Sequence, residues 1–459
     1  DNFLLEKKQN IKYVAMIDYG KYNPDLLQSC SSKTIDGIRL AFHKKNRKDM
    51  IEWGKKILDK GYMLFIQPMT CLNYSDAEML DLITDVNDKL KNASAFYIVD
   101  SFGEMRLKDM ERIANLVDHN LVSSMPMGLH SHNNLQLSYS NAVTLLNFQT
   151  QRELIFDSSI MGMGKGAGNM NTELFAEHLN VYGGKNYDIV PLLDVIDTVI
   201  NQIKENYSWG YSVEYYLSAK NHCTPSYAAH FYKKHMLSIK QVSELLSMLS
   251  EDEKISFDKQ YADEMYYKYN SNMHKDAEIS ADIIDIFKGK EILILAPGKS
   301  VLQHKKELMD IRNRENVVSI ALNNVPAISV DYAFVTKLSS YNLVEKSGIP
   351  CIVSSNIPVE QKESMIVDYD SITKYDDGKS DNSTIMLMNV LRKCDVKSVM
   401  LAGFDGFSTD INENYYDDEL KRPIDRDEVN ARNKLIKAYL SKIKNEMDII
   451  YVTQSIYQQ

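Results

Sequence analysis

Two imidazoles lie two positions apart in Gly128-Leu-His-Ser-His-Asn-Asn134. On a strand, residues i and i+2 point to the same side. His130 and His132 therefore offer two nitrogen donors from one strand end, a natural pair of ligands for a divalent metal. A second cluster, Gly162-Met-Gly-Lys-Gly-Ala-Gly-Asn169, places four glycines in seven positions. That density excludes a helix or strand interior, because each glycine costs backbone entropy. It suits a loop that comes close to a bound ligand. A third cluster, Val99-Asp-Ser-Phe-Gly103, sets Asp100 and Ser101 at a strand end before a glycine turn.

These residues need elements to carry them. Six short apolar runs, 13–17, 37–42, 62–66, 95–99, 126–130 and 154–156, alternate with polar stretches of helical period. Near-continuous apolar strands separated by helices predict a parallel sheet buried on both faces. The runs end near Asp18, His43, Gln67, Asp100, His132 and Asp157. In a (β/α)8 barrel, function gathers at that end of the strands. Six strands are two short of eight, and the chain opens just before a strand without Met. Two βα units are therefore expected to precede residue 1.

The fold class read from this pattern is α/β. A (β/α)8 TIM-type barrel lacking its first two βα units is expected over 1–182. A helical extension and linker follows over 183–285, and a second, Rossmann-like α/β domain over 286–459. The aromatic-dense stretch Tyr207–Tyr216 is expected to pack in a core between domains. The polar segment 270–276 reads as a linker.

Composition narrows the class of partner. Hydrophobic residues at 44% and charged residues at 25% exclude global disorder. The net charge of −10 gives no overall pull toward nucleic acid or anionic lipid. No apolar run is long enough for a membrane span. The five cysteines lie far apart with no CxxC pair, so a zinc knuckle is not supported. Their odd number fits a reducing cytoplasm.

The order Asp-Ser-x-Gly, then Gly-x-His-x-His-Asn-Asn, then Asp-x-Ser-x-x-Gly-Met-Gly-x-Gly-Ala-Gly-Asn resembles the metal-dependent pyruvate aldolase and HMG-CoA lyase-like TIM barrels. Within that group it is most similar to the 4-hydroxy-2-oxovalerate aldolases, over about residues 11–240. The resemblance implies a carbon–carbon lyase that cleaves a 4-hydroxy-2-oxo acid to pyruvate and an aldehyde. It implies a divalent cation, Mn or Mg with zinc as a further option, on His130, His132 and Asn169. It implies Ser101, His130 and, by a looser match, Tyr211 as substrate contacts. The family's further metal ligand lies in an Arg-Asp-Gly motif that this sequence lacks, and its catalytic base has no matching position. Residues 158–168 contain no cysteine, which argues against a hydroxymethylglutaryl-type lyase. An acyl-CoA synthase on the same barrel would need a basic patch that is not evident. A homo-oligomer is expected.

The second βα series contains Ala296-Pro-Gly-Lys-Ser300 after one strand and Gly403-Phe-Asp-Gly406 after another. A Walker A loop would need glycine at position 293, which is Leu293. A glycine turn leading into a helix still makes an anion site. Gly298, Lys299, Ser300 and Asp405 are the candidate residues, with a nucleotide or sugar nucleotide as ligand. The pattern resembles bacterial surface-polysaccharide transferases and pterin-kinase-like domains. That resemblance implies an alternative role, a repurposed barrel serving polysaccharide biosynthesis.

Overall fold

A computed structural model describes residues 7–8, 10–31, 35–234, 236–271, 279–359, 365–376, 378–421 and 424–458. It divides into two compact units. The first takes in residues up to His230 together with Leu246–Phe257, and the second takes in Phe231–Leu245 and Asp258 onward. The helices between residues 183 and 285 are thus shared between the units. Most of the expected linker, residues 272–276, lies outside the described residues. Asn270 and Ser271 close a helix, Lys259–Ser271.

The first unit is built on six parallel strands in chain order: β1 (Val14–Asp18), β2 (Gly37–Phe42), β3 (Met63–Pro68), β4 (Ala95–Asp100), β5 (Met127–Ser131) and β6 (Leu154–Phe156). Helices α1 (Met50–Asp59), α2 (Asp76–Lys89), α3 (Leu107–Asn120), α4 (Ser138–Leu146) and α5 (Thr172–Tyr182) follow β2 to β6. This is the TIM-type β/α alternation. Among the described residues, β1 and β6 each have a single strand neighbour. Val14 and Met16 on β1 are exposed.

Period-two geometry sorts the side chains of each strand to opposite faces. Ile38, Leu40 and Phe42 of β2 enter the helix-covered core, as do Leu64 and Ile66 of β3. Arg39 and Gln67 alternate with these residues, and they meet at 3.3 Å on the other face. A polar layer therefore lies inside the sheet, where an apolar run would place only carbon.

The aromatic stretch departs from expectation. Tyr207, Tyr211 and Tyr216 are exposed rather than core residues. Trp209 is the docked member, its indole N–H donating to the Met161 carbonyl at 2.9 Å.

Among the described residues, the main sheet of the second unit has seven parallel strands: β7 (Glu291–Leu295), β8 (Val317–Leu322), β9 (Tyr332–Val335), β10 (Cys351–Ser354), β11 (Ile366–Val367), β12 (Ser398–Ala402) and β13 (Asp448–Tyr451). Their order is β11-β10-β9-β8-β7-β12-β13. Ile292 and Ile294 of β7 enter one core, while Leu293 and Leu295 enter another on the opposite face. The sheet is covered on both sides, as parallel sheets are. All five cysteines are free thiols. Among the described residues, no helix is long and apolar enough to cross a membrane.

Candidate active site

The carboxyl ends of the first unit's strands surround a cavity of about 370 Å³. Asp18, His43, Gln67, Ser101, His130 and His132 all line it. Each comes from the end of β1 to β5 or the residues just beyond, so the sheet itself does the gathering.

Backbone contacts join the three sequence clusters. The Gly103 carbonyl accepts from the Leu135 N–H at 2.9 Å. The Gly168 carbonyl accepts from the Asn133 N–H at 2.9 Å, and Asn134 Oδ1 accepts from the Ala167 N–H at 3.0 Å. Gly168 sits at φ +86°, and a Cβ there would meet the Gly162 carbonyl oxygen at 2.0 Å. The glycine loop can fold back on itself only without side chains. It then lies on the His132–Asn134 segment, with His132 and Asn169 paired in an antiparallel bridge. Opposed residues in such a bridge keep their Cβ atoms about 5 Å apart. The Asn169 amide is therefore a neighbour of the histidine pair.

The two imidazoles stand edge to face with ring centroids 5.3 Å apart. His130 Nδ1 bonds Asp157 Oδ2 at 2.8 Å, which leaves Nε2 as its second nitrogen. Asp157 also pairs with the Arg39 guanidinium. Arg39 lies 5.2 Å over the Tyr97 ring. Gly128 makes room for that ring, because a Cβ there would come within 2.6 Å of it. Burial pushes the Tyr97 phenol well up, and the Asp157 charge adds to the effect. Burial and the neighbouring His130 bring His132 down to about 4, so it is neutral. Burial also lowers His43.

Two occluded polar atoms of cavity-lining residues lack a hydrogen-bond partner, His43 Nδ1 and Gln67 Nε2, as does Asn169 Oδ1, whose residue does not line the cavity but pairs with His132. Buried polar atoms are nearly always partnered, so such a group marks a place prepared for ligand or ion. A neutral imidazole, an imidazole oriented by a carboxylate and an unpartnered amide oxygen fit a divalent cation. Among the described residues, no three His, Cys, Asp or Glu side chains converge to hold a metal. The histidine pair would act with the Asn169 amide rather than with a third group of those types.

Ser101 Oγ accepts from the Thr70 N–H at 3.0 Å and lines the cavity. Tyr211 is 63% exposed and does not line it. Arg39 and Tyr97 were not singled out from the sequence. Their signal was present, since Arg39 is the lone charge in the run Gly37–Phe42.

Residues 42–200 match the HMGL-like family model. They form an HMGL-like domain. The 4-hydroxy-2-oxovalerate aldolase of Thermomicrobium roseum is 33% identical over 112 residues, 24% of this chain and 30% of that protein. The Marinomonas enzyme of the same name is 23% identical over 202 residues, 43% of this chain and 57% of its own. The chain spans about a third of the length of the first curated relatives it matches. Among solved structures, the N-terminal domain of a Bacteroides vulgatus protein provisionally assigned as an aldolase is 28% identical, with a TM-score of 0.44. That match covers 49% of this chain and 73% of the other. Bacillus subtilis HMG-CoA lyase is 15% identical over 44% of this chain and 72% of its own, with a TM-score of 0.36. The HMGL-like domain contains every cavity-lining residue from His43 to His132 and the whole glycine loop.

In the second unit, the turn at Gly298 and the loop at Gly403–Gly406 also come together. The Gly298 N–H donates to the Gly403 carbonyl at 3.1 Å. Asp405 accepts the Ser300 N–H at 2.8 Å and the Ser300 hydroxyl as well. The helix start that could hold an anion thus already holds this carboxylate. Lys299 Nζ stands 3.6 Å from Glu413.

Proposed function

We propose that the HMGL-like domain is a divalent-metal-dependent carbon–carbon lyase that cleaves a 4-hydroxy-2-oxo acid into pyruvate and an aldehyde. The observation that carries this reading is the cavity itself. One small pocket gathers the histidine pair, the Ser101 hydroxyl and two unpartnered polar atoms, His43 Nδ1 and Gln67 Nε2. The curated relatives named 4-hydroxy-2-oxovalerate aldolase supply the reaction class. A volume of about 370 Å³ suits a short oxo acid and is near the low end for ligand pockets.

Mn or Mg would be held by His130, His132 and Asn169, and would supply Lewis-acid stabilisation of the enolate left by bond cleavage. The remaining work falls to the chain. Asp157 fixes the His130 ring through Nδ1, and Arg39 fixes Asp157. Ser101 offers its hydroxyl proton to the substrate carboxylate. His43 is neutral and lines the cavity, so its imidazole can take the proton from the 4-hydroxyl and return it to the enolate carbon as pyruvate forms. The glycine loop brings backbone close to the substrate and limits water.

The test is pyruvate release from 4-hydroxy-2-oxovalerate, with metal content measured on the same sample. Metal-dependent release that stops with chelator and returns with Mn supports the proposal. A metal-loaded protein that turns over no 4-hydroxy-2-oxo acid would rule it out.

A further inference from the structure

The second unit has a cavity of its own, of about 260 Å³. It sits where the strand order reverses. The chain leaves β7 for β8 on one side and later returns to β7's other side with β12. Open parallel sheets bind ligands in the crevice beyond the carboxyl ends of the strands at such a point. The turn after β7 and the loop after β12 form the floor. Thr453 locks them, accepting the Gly403 N–H at 2.9 Å and lying 2.8 Å from the Ser300 hydroxyl. Of the residues flagged in these loops from the sequence, Gly298 lines the cavity, whereas Lys299, Ser300 and Asp405 do not.

The walls carry the chemistry. Lys234, Lys337 and Arg432 line the cavity against one lining carboxylate, Asp381. Asp381 accepts a hydrogen bond from the Tyr266 hydroxyl at 2.6 Å. Lys234 pairs with Asp263 at 2.8 Å, and Arg432 with Glu428. The helix α6 (Ser383–Lys393) points its N-terminus at the same space, since Asn382, Ser383 and Thr384 all line it. The Asn382 side-chain oxygen caps it, accepting the Thr384 N–H at 3.0 Å and the Ile385 N–H at 3.4 Å, so only the helix dipole reaches the cavity. Opposite in character are Phe407 and Tyr415, with ring centroids 6.4 Å apart. Arg432 lies 5.3 Å over the Phe407 ring and joins the basic wall to the aromatic one.

We propose that this cavity binds a nucleoside monophosphate. The phosphate sits among Lys234, Lys337 and Arg432, and the base lies against Phe407 and Tyr415. Basic side chains answer a phosphate. The two rings stand edge to face at 82°, and the face of either can take a planar base. A volume of about 260 Å³ suits a mononucleotide. This inference goes beyond the lyase reading and does not depend on it.

The test is calorimetric titration of the full chain with AMP, GMP, CMP and UMP, and with ribose 5-phosphate and inorganic phosphate. At least one nucleotide should bind tenfold or more tightly than ribose 5-phosphate. Arg432→Gln should weaken that binding at least tenfold. Lys337→Gln is the second variant, should the loss of the Glu428 pair unfold the first. The proposal is overturned by three results: no nucleotide binds, ribose 5-phosphate binds as well as the best nucleotide, or a folded variant binds with unchanged affinity.

Discussion

Asp157 is the residue on which the metal-site proposal turns. Its carboxylate accepts from His130 Nδ1 and pairs with Arg39, so it sets an imidazole and neutralises a guanidinium together. Asp157→Asn keeps the shape and removes the charge. Supporting groups of this kind contribute about 10–100-fold to metal affinity. Mn binding, read by calorimetry, should weaken by that factor. The buried Arg39 charge would lose its partner, at a cost of about 3 kcal/mol in urea unfolding. That is the low end for a buried pair, because both side chains keep some solvent contact. Unchanged Mn affinity in a folded Asp157→Asn protein would remove Asp157 from the site. His43→Gln tests the proposed base. It should lower kcat about 100-fold or more while leaving Mn affinity within a factor of two. The histidine pair was legible because i, i+2 spacing on a strand is local. Arg39 was not, since its partner lies 118 residues away and pairing over that distance leaves no spacing to read. Tyr211 failed for a related reason. A loose motif match placed it near substrate, and its side chain stands in solvent.

Elements decide how firmly those residues are held. The helix α2 shows the local rules at work. Met79, Leu82, Ile83 and Val86 fall on one face at helical spacing and are buried. Ser75 and Glu78 close its start in a capping box. The Ser75 N–H, at 2.9 Å, and the Lys44 ammonium hold the Glu78 carboxyl down at about 2. A depressed carboxyl adds stability that is present above the ordinary glutamate range and is lost as pH falls through about 2. Glu78→Gln should therefore unfold at lower urea than the parent near neutral pH. The gap should narrow from about pH 5 toward pH 2. A gap that stays constant across that range would show that Glu78 acts without its charge. The strands of both sheets were legible as apolar runs to within a residue or two. Two strands escaped. Ile366–Val367 is only two residues long, and Asp448–Tyr451 is an edge strand whose alternate residues are exposed. The signal for the second was nonetheless present, since Ile449, Ile450, Tyr451 and Val452 are all β-branched or aromatic.

At the scale of the whole molecule, the alternation of strands and helices announced two sheets, but it did not say which helices each would recruit. A sheet buried on both faces needs a helical layer on each side. For the second sheet, part of that layer comes from upstream of β7. Ile283 and Phe287 are fully buried in its core, and Tyr267 and Ile279 pack against them. Tyr266 is buried with its hydroxyl on Asp381, and the Tyr267 hydroxyl donates to the Lys379 carbonyl at 3.0 Å. None of this shows in the sequence, where residues 259–271 read only as a helix with scattered tyrosines. The consequence can be measured on fragments. A fragment of residues 286–459 keeps every strand of the second sheet but loses Ile283 and Tyr266, and it leaves Asp381 without its donor. A fragment of residues 258–459 keeps both residues and the Tyr266–Asp381 hydrogen bond. Removing one large buried side chain costs about 3–5 kcal/mol. The longer fragment should therefore be more stable by at least about 3 kcal/mol in urea unfolding, with a steeper transition because it buries more surface. Equal midpoints and equal slopes would mean that the sheet covers itself without the upstream helix.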